Sequence, residues 1–157
     1  MKSLISTLLC CFFLALPACG KLPVQAGQEE QQVKAEKQSM TIHIAVGEKS
    51  FTAHIEDSET GRAFVAKLPL TLDMSELNGN EKYCYGVELP GADKHYDSIA
   101  AGDLMLYSGN CVVLFYGSAG GYSYTRIGKL TGTDGLKEAL GTGSIRVSFA
   151  KQELIDR

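Results

Sequence analysis

The run Tyr122-Ser123-Tyr124-Thr125-Arg126-Ile127-Gly128 holds the residues best suited to recognition. Alternation along an extended chain puts Tyr122, Tyr124, Arg126 and Gly128 on one face, and Ser123, Thr125, Ile127 and Lys129 on the other. Two phenol rings, a guanidinium and a glycine that leaves space make a ligand-facing patch. Arg126 can equally be a structural cation paired with a carboxylate such as Glu81. A second set lies in Asn78-Gly79-Asn80-Glu81-Lys82-Tyr83, a polar, turn-forming stretch between apolar segments. It can place Asn80, Glu81 and Tyr83 at the rim of a rigid domain, or use the same side chains to cap the backbone of a long turn.

Other chemistry finds little support. His43 and His54 fall opposite one another if the intervening turn is centred on Glu48-Lys49. Two imidazoles without a third or fourth ligand do not make a specific metal site, so no metal is expected. Gly117-Ser118-Ala119-Gly120-Gly121 lacks the Lys-Ser or Lys-Thr of a phosphate loop and reads as a mobile connection between strands. The sequence contains no Gly-x-Ser-x-Gly, His-Glu-x-x-His or Cys-x-x-Cys. His95 sits in a polar stretch, Ala92 to Ser98, that reads as a solvated loop. No cofactor is implied, and a formal net charge of -3 argues against a nucleic-acid partner.

The N-terminus sets the expected compartment. Met1-Lys2-Ser3 is followed by an apolar run from Leu4 to Leu16 and then Leu16-Pro17-Ala18-Cys19. The run is too short to span a bilayer as a helix and reads as a secretion signal. Leu-x-Ala-Cys resembles the lipobox of bacterial lipoproteins. The expectation is therefore a signal peptide over 1–18, lipid on Cys19 and a membrane-anchored, cell-envelope protein. Val24-Gln25-Ala26 is the competing cleavage site, which would release a soluble one. Only Lys2 of the 15 basic residues precedes Cys19, so 14 remain against 18 acidic ones and membrane attachment must come from acyl chains. Residues 20–39 are Gln-rich, mix Lys with Glu and lack aromatics, as in a disordered tether. Of the five cysteines, Cys84 and Cys111 remain for the folded part. In an oxidising compartment they can form one disulfide, or stay as two buried thiols in strand-like runs.

The elements that must position these residues lie between Met40 and Gln152, before a short tail at 153–157. Met40 to Val46 and Phe51 to Ile55 alternate as a hairpin with one apolar face. Ser58-Glu59 opens a short helix closed by Pro69, and Leu70 to Met74 returns to period two. Leu104 to Tyr107 and Cys111 to Tyr116 are apolar on both faces and read as core strands. Tyr122 to Leu130 alternates, Asp134 to Leu140 is a second short helix ended by Gly141, and Ser144 to Phe149 is a last strand. Seven or eight strands, two helices and glycine turns predict a mostly β domain, a closed barrel or a sandwich.

Four segments, in chain order, resemble a known family: Leu68-Pro69-Leu70-Thr71-Leu72, Leu77 to Tyr83, Gly102-Asp103-Leu104-Met105-Leu106-Tyr107, and Tyr122 to Gly128. They look like the cyclophilin-like family of small bacterial and archaeal domains. The resemblance implies a cyclophilin-like, closed eight-stranded β-barrel with two short helices, and it implies no established activity. Cyclophilins isomerise X-Pro bonds with an Arg beside an apolar pocket, and their surrounding motif has no match here. The expected function is therefore binding of a small ligand or peptide at the Tyr/Arg face without catalysis. The alternatives are a divergent prolyl isomerase using Arg126, and a structural or interaction module.

Overall fold

The structure, a computed structural model, describes residues 40–152. The signal segment 1–18, Cys19, the tether through residue 39 and the tail 153–157 lie outside the described residues. Nine strands and two helices follow in the order β1 (Met40–Val46), β2 (Lys49–Ile55), α1 (Glu59–Ala66), β3 (Leu70–Leu77), β4 (Glu81–Tyr85), β5 (Lys94–Tyr96), β6 (Asp103–Tyr107), β7 (Cys111–Phe115), β8 (Tyr122–Leu130), α2 (Leu136–Leu140) and β9 (Ile145–Lys151). Eight of the strands form an antiparallel ring in the order β2-β1-β9-β3-β4-β7-β6-β8, closed where β2 pairs with β8. The domain is thus a closed eight-stranded β-barrel, and β5 hangs on β8 outside the ring.

The hairpin β1–β2 shows how the alternation becomes a wall. Ile42, Ile44, Val46, Phe51, Ala53 and Ile55 all face the interior. The turn is centred on Gly47-Glu48, one residue earlier than the sequence predicts, because Gly47 adopts φ 57° and supplies the left-handed position such turns need. That change preserves the parity that keeps the apolar sets together, but it moves the partners by two residues. His43 lies opposite Thr52, and His54 opposite Thr41, whose Oγ1 is 3.3 Å from Nδ1. The two histidines are therefore not paired with each other.

α1 begins at Ser58, whose Oγ accepts the Gly61 amide at 3.0 Å, with Glu59 in the first turn. Gly61 would weaken an isolated helix, but a Cβ there would collide with the Glu56 carbonyl, so its absence lets the helix lie tight against β2. The helix delivers Phe64 into the core, edge-on to Phe149 at 5.5 Å. Burying such a ring contributes about 2–3 kcal/mol. Leu136 and Leu140 of α2 join the same interior cluster.

β6 and β7 are apolar on both faces because there are two cores. Leu104, Leu106, Val112 and Leu114 point inward, while Met105, Cys111, Val113 and Phe115 build a second cluster on the outer surface with Ile99 and Tyr124. Covering that outer face brings the segment expected as a solvated loop into order. Lys94 to Tyr96 forms β5 against Tyr122 to Tyr124, and Ile99 bridges Ala119. The glycine segment 117–121 is likewise held on three sides, through Ile99, Tyr96 and Asn80. It is a tied loop where a mobile one was expected.

Candidate functional site: an aromatic cleft on the barrel wall

Glu81 and Tyr83, expected at a loop rim, belong to strand β4. Asn78, Gly79 and Asn80 form the turn between β3 and β4, the first two at positive φ. Register then assigns the faces. Glu81, Tyr83 and Tyr85 stand opposite Phe115, Val113 and Cys111 of the outer cluster, whereas Lys82 and Cys84 stand opposite the inward Leu114 and Val112. Cys84 and Cys111 therefore lie on opposite faces of the sheet and are free thiols, so no disulfide joins them.

Outward from β4, β7, β6 and β8 opens a cleft of about 450 Å³. Tyr83 and Tyr85 enter it from β4, Tyr107 from β6, and Tyr122 and Tyr124 from β8. Tyr85, Tyr107 and Tyr122 are 58%, 43% and 60% exposed and form its rim with Leu77. At depth lie Asn80, Glu81 and Cys111. Two oxygen-bearing groups there lack partners among the described residues. Glu81 is only 5% exposed, and its carboxylate makes no hydrogen bond or ion pair. Asn80 donates its Nδ2 to the Ser118 carbonyl at 2.8 Å, which leaves its Oδ1 buried and unsatisfied. A buried acceptor without a donor costs on the order of 1–3 kcal/mol, and among the described residues the Asn80 amide oxygen shares that state only with Asp103 Oδ1 and Arg126 Nε.

The neighbouring cation is engaged elsewhere. Lys82, wholly buried, turns to the barrel interior and donates to Glu76 and to the carbonyls of Gly141 (3.0 Å) and Gly143 (2.6 Å). Tyr116 also donates its hydroxyl to Glu76. Burial pushes the Glu76 carboxyl up, but the Lys82 and Tyr116 hydrogen bonds and the Lys82 charge hold it below the ordinary range. Glu81 gains no such help: burial, and then the Glu76 charge, push its carboxyl above the ordinary value. Burial first, and then the charge of Glu81, raise Tyr124 to about 12. Burial, with Cys84 next, lifts the Cys111 thiol to about 11, so only about one Cys111 in ten thousand is thiolate at neutral pH. The cleft therefore offers aromatic faces, phenol donors and buried acceptors rather than an activated nucleophile.

Arg126 does not line this cleft. Its guanidinium lies 3.6 Å from buried Asp103, the carboxylate partner in place of the expected Glu81, and 5.0 Å over the ring of Tyr96. It borders a separate, more polar depression of about 310 Å³ with Glu56, Glu59 and Lys94. The expected Tyr-Tyr-Arg-Gly face is divided further by a bulge. Leu104 pairs with Gly128 and Met105 with Arg126, leaving Ile127 over, so that Ile127 and Leu130, three apart, both face inward. Gly128 is packed against β2, where a Cβ would strike the His54 carbonyl. The structure thus brings together Asn80, Glu81, Tyr83, Tyr122 and Tyr124 from the two sequence sets and leaves Arg126 outside. It adds Tyr85 and Tyr107, of which Tyr85 was legible as the alternation partner of Tyr83. Among the described residues no three His, Cys, Asp or Glu side chains cluster to hold a metal, and no helix is long and apolar enough to cross a membrane.

A closed barrel of eight antiparallel strands, with two short helices contributing to its core and an outer wall carrying the cleft, is the architecture this sequence builds. The family model described as "Cyclophilin-like family" matches residues 44–150, and the chain belongs to that family. Among solved structures, it is similar to the solution structure of the hypothetical protein AF2241 from Archaeoglobus fulgidus. The TM-score is 0.56 at 19% identity, covering 73% of this chain and 95% of that one, which shows a shared fold. No curated protein matches the sequence.

Proposed function

We propose that this cyclophilin-like domain binds a small ligand or peptide side chain in the tyrosine cleft, without catalysing a reaction on it. One observation carries the reading. Leu77, Tyr85, Tyr107 and Tyr122, the exposed large hydrophobic residues among those described, all border the same cleft. Scattered exposed apolar residues need no explanation, but their collection around one concavity with unpartnered polar groups at depth is the usual make-up of a binding site. In the same reading the domain is displayed at the cell envelope, with a lipid on Cys19 and residues 20–39 as tether.

The cleft is tested by one-dimensional and 13C-edited NMR of the full chain against a fragment library. Saturable hits should shift the Tyr85, Tyr107 and Tyr122 ring signals, and Tyr85→Ala with Tyr122→Ala should weaken them by about tenfold or more. A library with no hit on these rings would overturn the reading. The anchor is tested separately by cell fractionation. Cys19→Ala should move the protein out of the membrane fraction, and unchanged retention would count against lipidation.

A further inference from the structure

Resting on the cleft as a binding site, we propose that it selects an organic cation bearing N–H donors, an ammonium or amidinium group on a short apolar or aromatic stem, with Glu81 and Asn80 as its acceptors. The adjacent residues Asn80 and Glu81 present a buried amide oxygen without a donor and, on a side chain only 5% exposed, a carboxylate with no hydrogen bond or ion pair to a described residue. Lys82, the cation next in sequence, is committed on the other side of the sheet to Glu76 and two carbonyls, so no lysine or arginine of the described residues serves this carboxylate. The charged or titratable groups around Glu81 are Glu76 of β3, Cys111 of β7, Tyr116 beyond it and Tyr124 of β8. None of them is a cation: Glu76 is a second carboxylate, already engaged by Lys82 and Tyr116, and Cys111, Tyr116 and Tyr124 hold their protons more tightly, first through burial and then in part through the Glu81 charge. A ligand that brings positive charge and hydrogen-bond donors supplies what this pocket lacks. The tyrosine faces above favour the same ligand, because their negative π surfaces attract cations and repel carboxylates. Donor-bearing cations are favoured over quaternary ammonium, because two acceptors must be satisfied.

The test uses four probes of nearly one shape on the full chain: benzylammonium, benzamidinium, benzyl alcohol and benzoate, with tetramethylammonium as a donorless cation. Chemical-shift titration should show the first two binding at least tenfold more tightly than benzyl alcohol or tetramethylammonium, with benzoate weakest. Glu81→Gln should remove that preference while leaving benzyl alcohol binding unchanged, near-UV circular dichroism reporting that the fold is intact. Benzyl alcohol or benzoate binding as well as the amines, or amine affinity unchanged in Glu81→Gln, would overturn cation selection and leave a cleft of another specificity. Failure of all five probes to move the Tyr85 and Tyr122 signals, together with an empty fragment screen, would instead remove the binding site itself. Bound peptides and free amines are told apart by adding a lysine-containing tripeptide and its acetyl-lysine counterpart. Preference for the unmodified tripeptide places the cation on a peptide side chain, and binding of benzylammonium alone places it on a small molecule.

Discussion

Glu81 shows how one side chain can oppose the fold that holds it. Its pKa is raised, so the unfolded chain releases this proton at a lower pH than the folded one. Stability therefore falls as pH rises from the ordinary glutamate range through the raised value, and the cost is fully present above that. Glu81→Gln escapes the cost. Its thermal midpoint should lie a few degrees above that of the parent at pH 8, with the difference vanishing near pH 3, as measured by calorimetry across pH. A variant that is destabilised at pH 8 would show that the carboxylate has a donor in solution. Glu76 behaves oppositely: its carboxyl is held below the ordinary range, so its contribution is present above the usual glutamate pKa and is lost as pH falls through the depressed one. Cys111, with its thiol near 11, should react with a maleimide at pH 7.5 at least tenfold more slowly than an unfolded cysteine, and at the normal rate in guanidinium.

Strands and loops set where these residues arrive, and here sequence reasoning had uneven reach. The hairpin, α1 with its Ser58 cap, the two-faced β6 and β7, and α2 ending at Gly141 were all legible, because period and capping residues encode them locally. The bulge at Ile127 was not legible, since an extra residue is defined only by the partner strand. Nor was β5, whose Lys94 and His95 are exposed and carry no apolar alternation, and which is ordered by pairing with β8. Of the candidate site, both sequence sets were identified, but their meeting across β4 and β8 and the departure of Arg126 depend on strand order, a long-range property. Gly120 lies where a Cβ would collide with the Asp97 carbonyl, so Gly120→Ala must displace the 117–121 loop that borders the cleft. It should cost about 1–3 kcal/mol in urea unfolding and shift the Tyr122 and Tyr96 signals, while the hairpin β1–β2 keeps its own.

At the scale of the whole molecule, closure rests on a short seam. β2 meets β8 over Ala53, His54 and Ile55 opposite Leu130, Lys129 and Gly128. Gly128 is what allows the approach, because any side chain there would collide with the His54 backbone and Ile55. Gly128→Val should therefore cost roughly 3 kcal/mol or more by chemical denaturation, with amide exchange accelerated first along β2 and the C-terminal half of β8. Exchange spread evenly over the barrel would mean that the seam opens only with the whole.

The completed ring also limits how a polypeptide could be recognised. Among the described residues each of the eight strands has a partner on both sides, though over only three residue pairs at β2–β8 and at β3–β4, so no barrel strand is a free edge along its whole length. β5 offers only a three-residue outer edge bearing exposed Lys94 and His95. A guest peptide can therefore gain little from adding itself as a further strand, and sister molecules have little edge on which to stack. A ligand held in the proposed cleft would accordingly be read through a head group or side chain rather than through a stretch of backbone.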